Sequence, residues 1–156
     1  MRYLRNVLAL TCLLLCVCAG CDKNSERPAD LPEDMTPTKI TITQEGKPLE
    51  GASVLLEYDT PMKYPTSGIT DEKGVATMVT YGFAGAQQGT AKVVVIKLVT
   101  EGETQGEEYG KKGEYGTDFH VVDAKYRTKE TTDLEITIGK KNLKETFEVG
   151  APVHEK

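Results

Sequence analysis

Between residues 39 and 58 apolar and polar side chains alternate with a period of two, and turn residues cut the alternation into short pieces. Ile40 and Ile42 alternate with Lys39, Thr41 and Thr43, and Ala52, Val54, Leu56 and Tyr58 fall on one face of a second segment. Such a pattern buries one face only if the backbone is extended. Gly46-Lys47-Pro48-Leu49-Glu50-Gly51 supplies the turn between the two. Residues 60–67, with two prolines, read as a loop, and Gly68-Ile69-Thr70 as a brief strand. Asp71-Glu72-Lys73-Gly74 is a tight turn into 75–81, and 82–89 is a glycine-rich connection. The run 91–99 is rich in β-branched residues, with Val93 to Ile96 unbroken, which predicts a central strand buried on both faces, and 101–118 reads as a polar loop. Leu134, Ile136 and Ile138 mark one more strand, Gly139-Lys140-Lys141-Asn142 a turn, and Leu143, Phe147 and Val149 the last strand. No stretch carries a 3.6-residue apolar period, although 121–125 allows one helical turn. The expectation is an all-β domain over residues 38–150, a seven-stranded antiparallel β-sandwich, followed by a frayed C-terminal tail, 151–156.

The start of the chain obeys different rules. Met1-Arg2-Tyr3-Leu4-Arg5 is basic, 7–17 is almost wholly apolar, and Cys18-Ala19-Gly20-Cys21 ends the run in small residues. The run is short for a spanning helix, which needs about 20 residues, and its flanks fit a secretory signal over residues 1–20. The segment resembles the lipobox of bacterial lipoproteins: Ala19, Gly20 and Cys21 match, while Cys18 stands where that family has Leu or Val. The resemblance implies cleavage between Gly20 and Cys21 and acylation of the Cys21 thiol. Cleavage without acylation would instead leave a soluble secreted chain. All four cysteines lie within the first 21 residues, so the cleaved chain keeps Cys21 alone and has no internal disulfide to form. Several acyl chains on one cysteine would hold the chain at a membrane. Asp22 matches a sorting signal of some Gram-negative lipoproteins for inner-membrane retention. The expected address is a bacterial membrane, on its periplasmic or extracellular side, inner or outer undecided.

Removing residues 1–20 takes away Arg2 and Arg5 and no acid, leaving 17 basic residues against 24 acidic ones. That balance argues against nucleic acid as a partner, because phosphate binding needs a concentrated basic face. Residues 21–37 are polar, hold three prolines and lack apolar periodicity; they read as a lipidated tether reaching roughly 20–25 Å, enough to hold the domain clear of lipid headgroups.

The hairpin Gly46-Lys47-Pro48-Leu49-Glu50-Gly51-Ala52 and the turn Gly68-Ile69-Thr70-Asp71-Glu72-Lys73-Gly74 resemble those of bacterial modules similar to the carboxypeptidase regulatory domain, over about residues 38–100. The resemblance implies a transthyretin-like sandwich and an accessory, folding, adhesion-like or carbohydrate-binding role. Two positions depart from that family: Ile40 where it often has glycine, and Ala76 where it has an aromatic. These motifs are turn chemistry, with glycine accepting positive φ, proline fixing φ and aspartate capping the turn, so they specify fold better than function.

Catalytic apparatus is not legible, and no cofactor or metal is expected. His120 lies between Phe119 and Val121 with Asp118 and Asp123 nearby, and His154 falls in the tail; neither has a recognisable nucleophile beside it. Asp71, Glu72 and the acids of 101–118 lack the spacing of a calcium loop. The 82–86 segment lacks the Lys-Ser/Thr of a phosphate loop. Glu-Tyr-Gly occurs twice, at Tyr109 and Tyr115, and Tyr64, Tyr81 and Phe83 fall in other loops. Exposed tyrosines combine apolar area with a polar tip and suit a sugar ring or a protein interface. The expectation is a lipid-anchored, non-enzymatic envelope module presenting loops to an envelope protein. The alternative is carbohydrate binding through Tyr64, Tyr81, Tyr109 and Tyr115.

Overall fold

The computed structural model describes residues 27–102 and 116–156; Gly20, Cys21, Tyr109 and Tyr115 lie outside them. Among the described residues twelve strands follow in chain order: β1 Thr38–Gln44, β2 Lys47–Pro48, β3 Ser53–Tyr58, β4 Thr66–Ile69, β5 Val75–Thr77, β6 Val79–Thr80, β7 Phe83–Ala84, β8 Gly89–Ile96, β9 Leu98–Glu101, β10 Thr117–His120, β11 Glu135–Ile138 and β12 Leu143–Glu148. A six-stranded sheet runs β11-β8-β3-β4-β6-β7. A four-stranded one places β1 between β12 and β2, with β5 also on β1, and β9 and β10 pair as a separate hairpin. The two larger sheets face each other as an all-β sandwich.

The alternating segments form the core as the sequence implies. Ile40 and Ile42 of β1 face Val54, Leu56 and Tyr58 of β3, Val93 and Val95 of β8, and Ile136 and Ile138 of β11 in one cluster. Each of the larger apolar side chains contributes about 1.5–3 kcal/mol on burial. Two of the longer segments subdivide for identifiable reasons. Residues 75–81 split at Met78 because β5 pairs with β1 while β6 pairs with β4. The chain crosses between sheets there and leaves the Met78 side chain fully buried. Residues 91–99 break at Lys97, where the chain leaves β8, and Val121 donates its N–H to the Lys97 carbonyl. Burial of β8 on both faces centres on Val94, since Thr90, Lys92 and Ile96 on its outer side are half-buried.

One strand pairing is not antiparallel. β12 lies parallel to β1, with Leu143 N–H donating to Pro37 O at one end and Val149 N–H to Thr43 O at the other. The turn at 139–142 carries the chain from β11 in one sheet to β12 in the other. The register puts Leu143, Glu145 and Phe147 on the side of Thr38, Ile40 and Ile42. Leu143 and Phe147 pack on the core, and exposed Glu145 places charge on this edge strand, which discourages pairing with another chain.

The two family-like motifs meet in space. Thr70, 3 % exposed, accepts the Ala52 N–H at 2.8 Å and donates its hydroxyl to the Leu49 carbonyl at 2.6 Å. Asp71 Oδ1 accepts from the N–H groups of Lys73 and Val75, both at 2.9 Å. Gly74 closes the turn at φ +71°, and a Cβ there would stand 2.5 Å from the Ile42 carbonyl, so glycine is needed for space as well as for φ.

The described part of the expected tether is not a free coil. Leu31 is 3 % exposed, Thr36 and Ala86 exchange backbone hydrogen bonds at 2.9 Å, and the Thr36 hydroxyl donates to the Gly139 carbonyl. The C-terminal tail, expected to fray, is likewise paired. Glu155 and His120 exchange backbone hydrogen bonds, and Val153 N–H donates to Val121 O.

Candidate functional site

The sandwich has two unlike ends, set by register. β3 and β8 pair from Tyr58–Ala91 at one end to Ser53–Ile96 at the other, a separation of about 17 Å at 3.3–3.4 Å per residue. The Tyr58 hydroxyl donates to the Gln87 carbonyl, and the Gln87 amide donates to the carbonyl of Tyr64. Tyr64, Gln87 and the β6–β7 hairpin therefore belong to the first end, while β9 and β10 belong to the second.

At the first end Tyr81 and Gly82 form the two-residue loop between β6 and β7, with φ of 50° and 83°. Positive φ at both positions is the type I′ hairpin signature, which favours Asn or Asp before Gly. A tyrosine held there costs about 1 kcal/mol or more, and such outliers cluster at functional positions. Tyr81 is 55 % exposed and its N–H donates to the Pro65 carbonyl. Its ring lies 5.0 Å from that of Tyr64, tilted by 52°.

Tyr64 has a different role from the exposed loop residue expected. It is 9 % exposed, and its hydroxyl donates to Asp30, which also pairs with the Lys63 ammonium. The Lys63 and Tyr64 hydrogen bonds hold the Asp30 carboxyl below its ordinary value, and Asp30 in turn raises the Tyr64 hydroxyl. Lys63 also stands 5.2 Å from the Tyr64 ring centre, and Arg27 stands 5.2 Å from that of Phe83. Beside them a groove of about 280 Å³ is lined by Leu55, Glu57, Pro61, Met62, Tyr64 and Pro65 among others. The result is an aromatic end with two cations at its rim. Arg27, Asp30 and Lys63 escaped the sequence reading, because nothing local ties residue 30 to residues 63 and 64. The Tyr81-Gly82 dipeptide between two strand signals was the one legible pointer.

At the second end Ile69, Ser53 and Ile96 form one row across β4, β3 and β8 on the outward side of the sheet. Ile69 is 70 % exposed, and Leu98, two residues beyond Ile96, is 51 % exposed. All four residues of β9 are exposed.

The histidines stand beside this hairpin. His154 stacks on Phe119 with ring centres 3.9 Å apart and lies 3.8 Å from the Glu101 carboxylate. His120 Nδ1 is buried with no hydrogen-bond partner. Neither expected neighbour polarises it: Asp118 accepts from Thr100, and Asp123 caps the 3-10 turn Ala124–Tyr126 through the Lys125 N–H. Among the described residues no group of three His, Cys, Asp or Glu side chains is placed to hold a metal ion. No protein-family model matches the chain, and neither does any curated protein or solved structure.

Proposed function

We propose that the chain is a lipid-anchored, non-enzymatic β-sandwich module of a bacterial envelope, which presents the β9–β10 end of its sandwich to an envelope protein. The observation that carries this reading is the placement of exposed apolar side chains. The core is already filled, yet Ile69, Leu98 and Val99 stay exposed at one end, as surfaces that bind a partner do. The other end is joined to the signal and Cys21 by the packed segment 27–37. The lipobox-like residues Ala19, Gly20 and Cys21 support the anchor. The carboxypeptidase-regulatory-like turn motifs support an accessory role, in keeping with their structural use around Thr70. The carbohydrate reading loses Tyr64, whose hydroxyl and ring are occupied by Asp30, Lys63 and Tyr81.

Metabolic labelling with a fatty acid, followed by membrane fractionation of wild type and Cys21→Ser, tests the anchor. Wild type is expected to carry label and sediment with membranes, and the variant to do neither. Equal labelling of both chains, or of neither, refutes it. A photocrosslinker at Leu98 is expected to give a discrete protein adduct in those membranes that one at Glu50 does not give. Identical patterns from both positions refute the presenting end.

A further inference from the structure

We infer that the aromatic end, formed by Tyr81, Phe83, Arg27 and Lys63, rests on the lipid headgroup layer to which Cys21 is anchored. This deepens the proposed function and rests on its anchor. The decisive quantity is the number of residues between Cys21 and the packed segment. If all of 21–37 were coil, the domain would stand well clear of the bilayer; but Leu31 is buried, Thr36 pairs with Ala86, and Arg27 already lies over Phe83. Only six backbone steps separate Arg27 from Cys21. Fully extended they span about 20 Å, from 3.3–3.6 Å per residue, and as a coil about 13 Å. The end of the sandwich that carries Arg27 is therefore kept beside the anchor.

The composition of that end matches the place. Aromatic rings with polar tips settle at the headgroup level, and Tyr81 is held outward at the hairpin tip despite its positive φ. The two cations support the rings rather than reach for lipid: the charged groups of Arg27 and Lys63 stand over the faces of Phe83 and Tyr64, with Arg27 donating to the Pro32 carbonyl and Lys63 paired with Asp30. Net charge does not drive the contact, because Asp30, Glu33 and Asp34 on the same segment offset the two cations. The contact is therefore aromatic in character, works on zwitterionic lipid and changes little with salt.

Two features of the chain make this testable: it has no tryptophan, and after residue 20 it has one cysteine. Because every described element lies between residues 27 and 156, the chain 21–156 carries the whole described fold. Its Cys21 thiol can be coupled to a maleimide lipid in zwitterionic vesicles whose acyl chains are brominated near the glycerol. Tyr81→Trp places a single indole at the aromatic end, Phe83→Trp is a second reporter there should the turn reject tryptophan, and Val99→Trp reports from β9. Relative to unbrominated vesicles, the Tyr81→Trp or Phe83→Trp indole is expected to lose about half its emission or more and shift to the blue, whereas Val99→Trp stays unchanged. Unquenched emission at both aromatic-end positions overturns the docking, as does equal quenching at Val99. A blue shift that requires added envelope protein, and not lipid, assigns the end to a protein and overturns it too. Thiol coupling replaces acylation by the cell, so this failure stays distinct from failure of the Cys21→Ser labelling test.

Discussion

Replacing Thr70 with valine removes one hydroxyl and almost no volume, and it strikes the point where the two turn motifs are joined. The hydroxyl serves the Ala52 N–H and the Leu49 carbonyl in a site where Ala52 is fully buried and Leu49 is 6 % exposed. Valine leaves both backbone groups without that partner and out of reach of bulk water. Each unpaired group costs about 1–3 kcal/mol, and relaxation of the Gly46–Ala52 turn recovers part of it, so a net loss of about 2–4 kcal/mol is expected. With a urea m-value of about 2 kcal/mol/M, the midpoint falls by about 1–2 M at unchanged m. Thr70→Ser is the control, because it keeps the hydroxyl and drops one methyl, worth about 0.8 kcal/mol. If the hydrogen bonds hold the motifs together, valine is the worse substitution, and the Ala52 amide loses most of its protection from hydrogen exchange. If apolar packing at Thr70 were the controlling term, valine would be neutral or stabilising and serine the worse of the two. That reversed order refutes the reasoning.

Asp71 gives the fold a dependence on acid. Its hydrogen bonds from Val75 and Lys73 place its folded pKa below the ordinary value of 3.8, so its contribution is complete above that value and is lost as pH falls through the folded pKa. Asp71→Asn keeps an acceptor without the titration; urea midpoints of wild type should therefore fall more steeply than those of the variant below about pH 4, and parallel curves would count against this. Leu31→Ala should cost about 2 kcal/mol, the low end for a buried leucine, because Leu31 packs outside the main core cluster. It should also expose the Thr36 and Ala86 amides to exchange, and unchanged protection at both would mean that 27–37 is a free tether after all.

Faces were legible in the sequence and partners were not. The period-two runs at Ile40, at 52–58 and at Ile136 mark which side chains turn inward, because that depends only on alternation along one strand. Alternation says nothing about the neighbouring strand, so the parallel placement of β12 beside β1 was invisible, as was the crossing between sheets at Met78. Thr117 and Asp118, the first half of β10, fell inside the expected loop 101–118 because a hairpin standing off the sandwich has no apolar face to fill. The segment 27–37 misled for a related reason. Its polarity and prolines are those of a spacer, and its attachment depends on two residues, Leu31 and Thr36, whose partners lie far along the chain. Tyr64 belongs to the same class, since its partner Asp30 is 34 residues away.

The short leash ties the anchor and the orientation of the domain into one constraint. A spacer of seventeen residues would let the sandwich turn freely, and any of its faces would meet a partner equally often. With 27–37 packed, Arg27 lies beside Phe83, so on the proposed anchor the aromatic end faces lipid. β8 runs from Gly89 near that end to Ile96, about 23 Å at 3.3 Å per residue, and β9 continues from there. The exposed Ile69, Leu98 and Val99 are then carried to the side away from the bilayer without any further spacer. Loosening Leu31 would lengthen the leash and release that orientation while leaving Cys21 and the β9–β10 hairpin intact. In Leu31→Ala, a photocrosslinker at Leu98 should therefore keep its partner but with a lower yield, and lipid quenching of an indole at residue 81 should fall with it. If quenching fell while crosslinking held, the two ends would be independent, and orientation would play no part in how the module meets its partner.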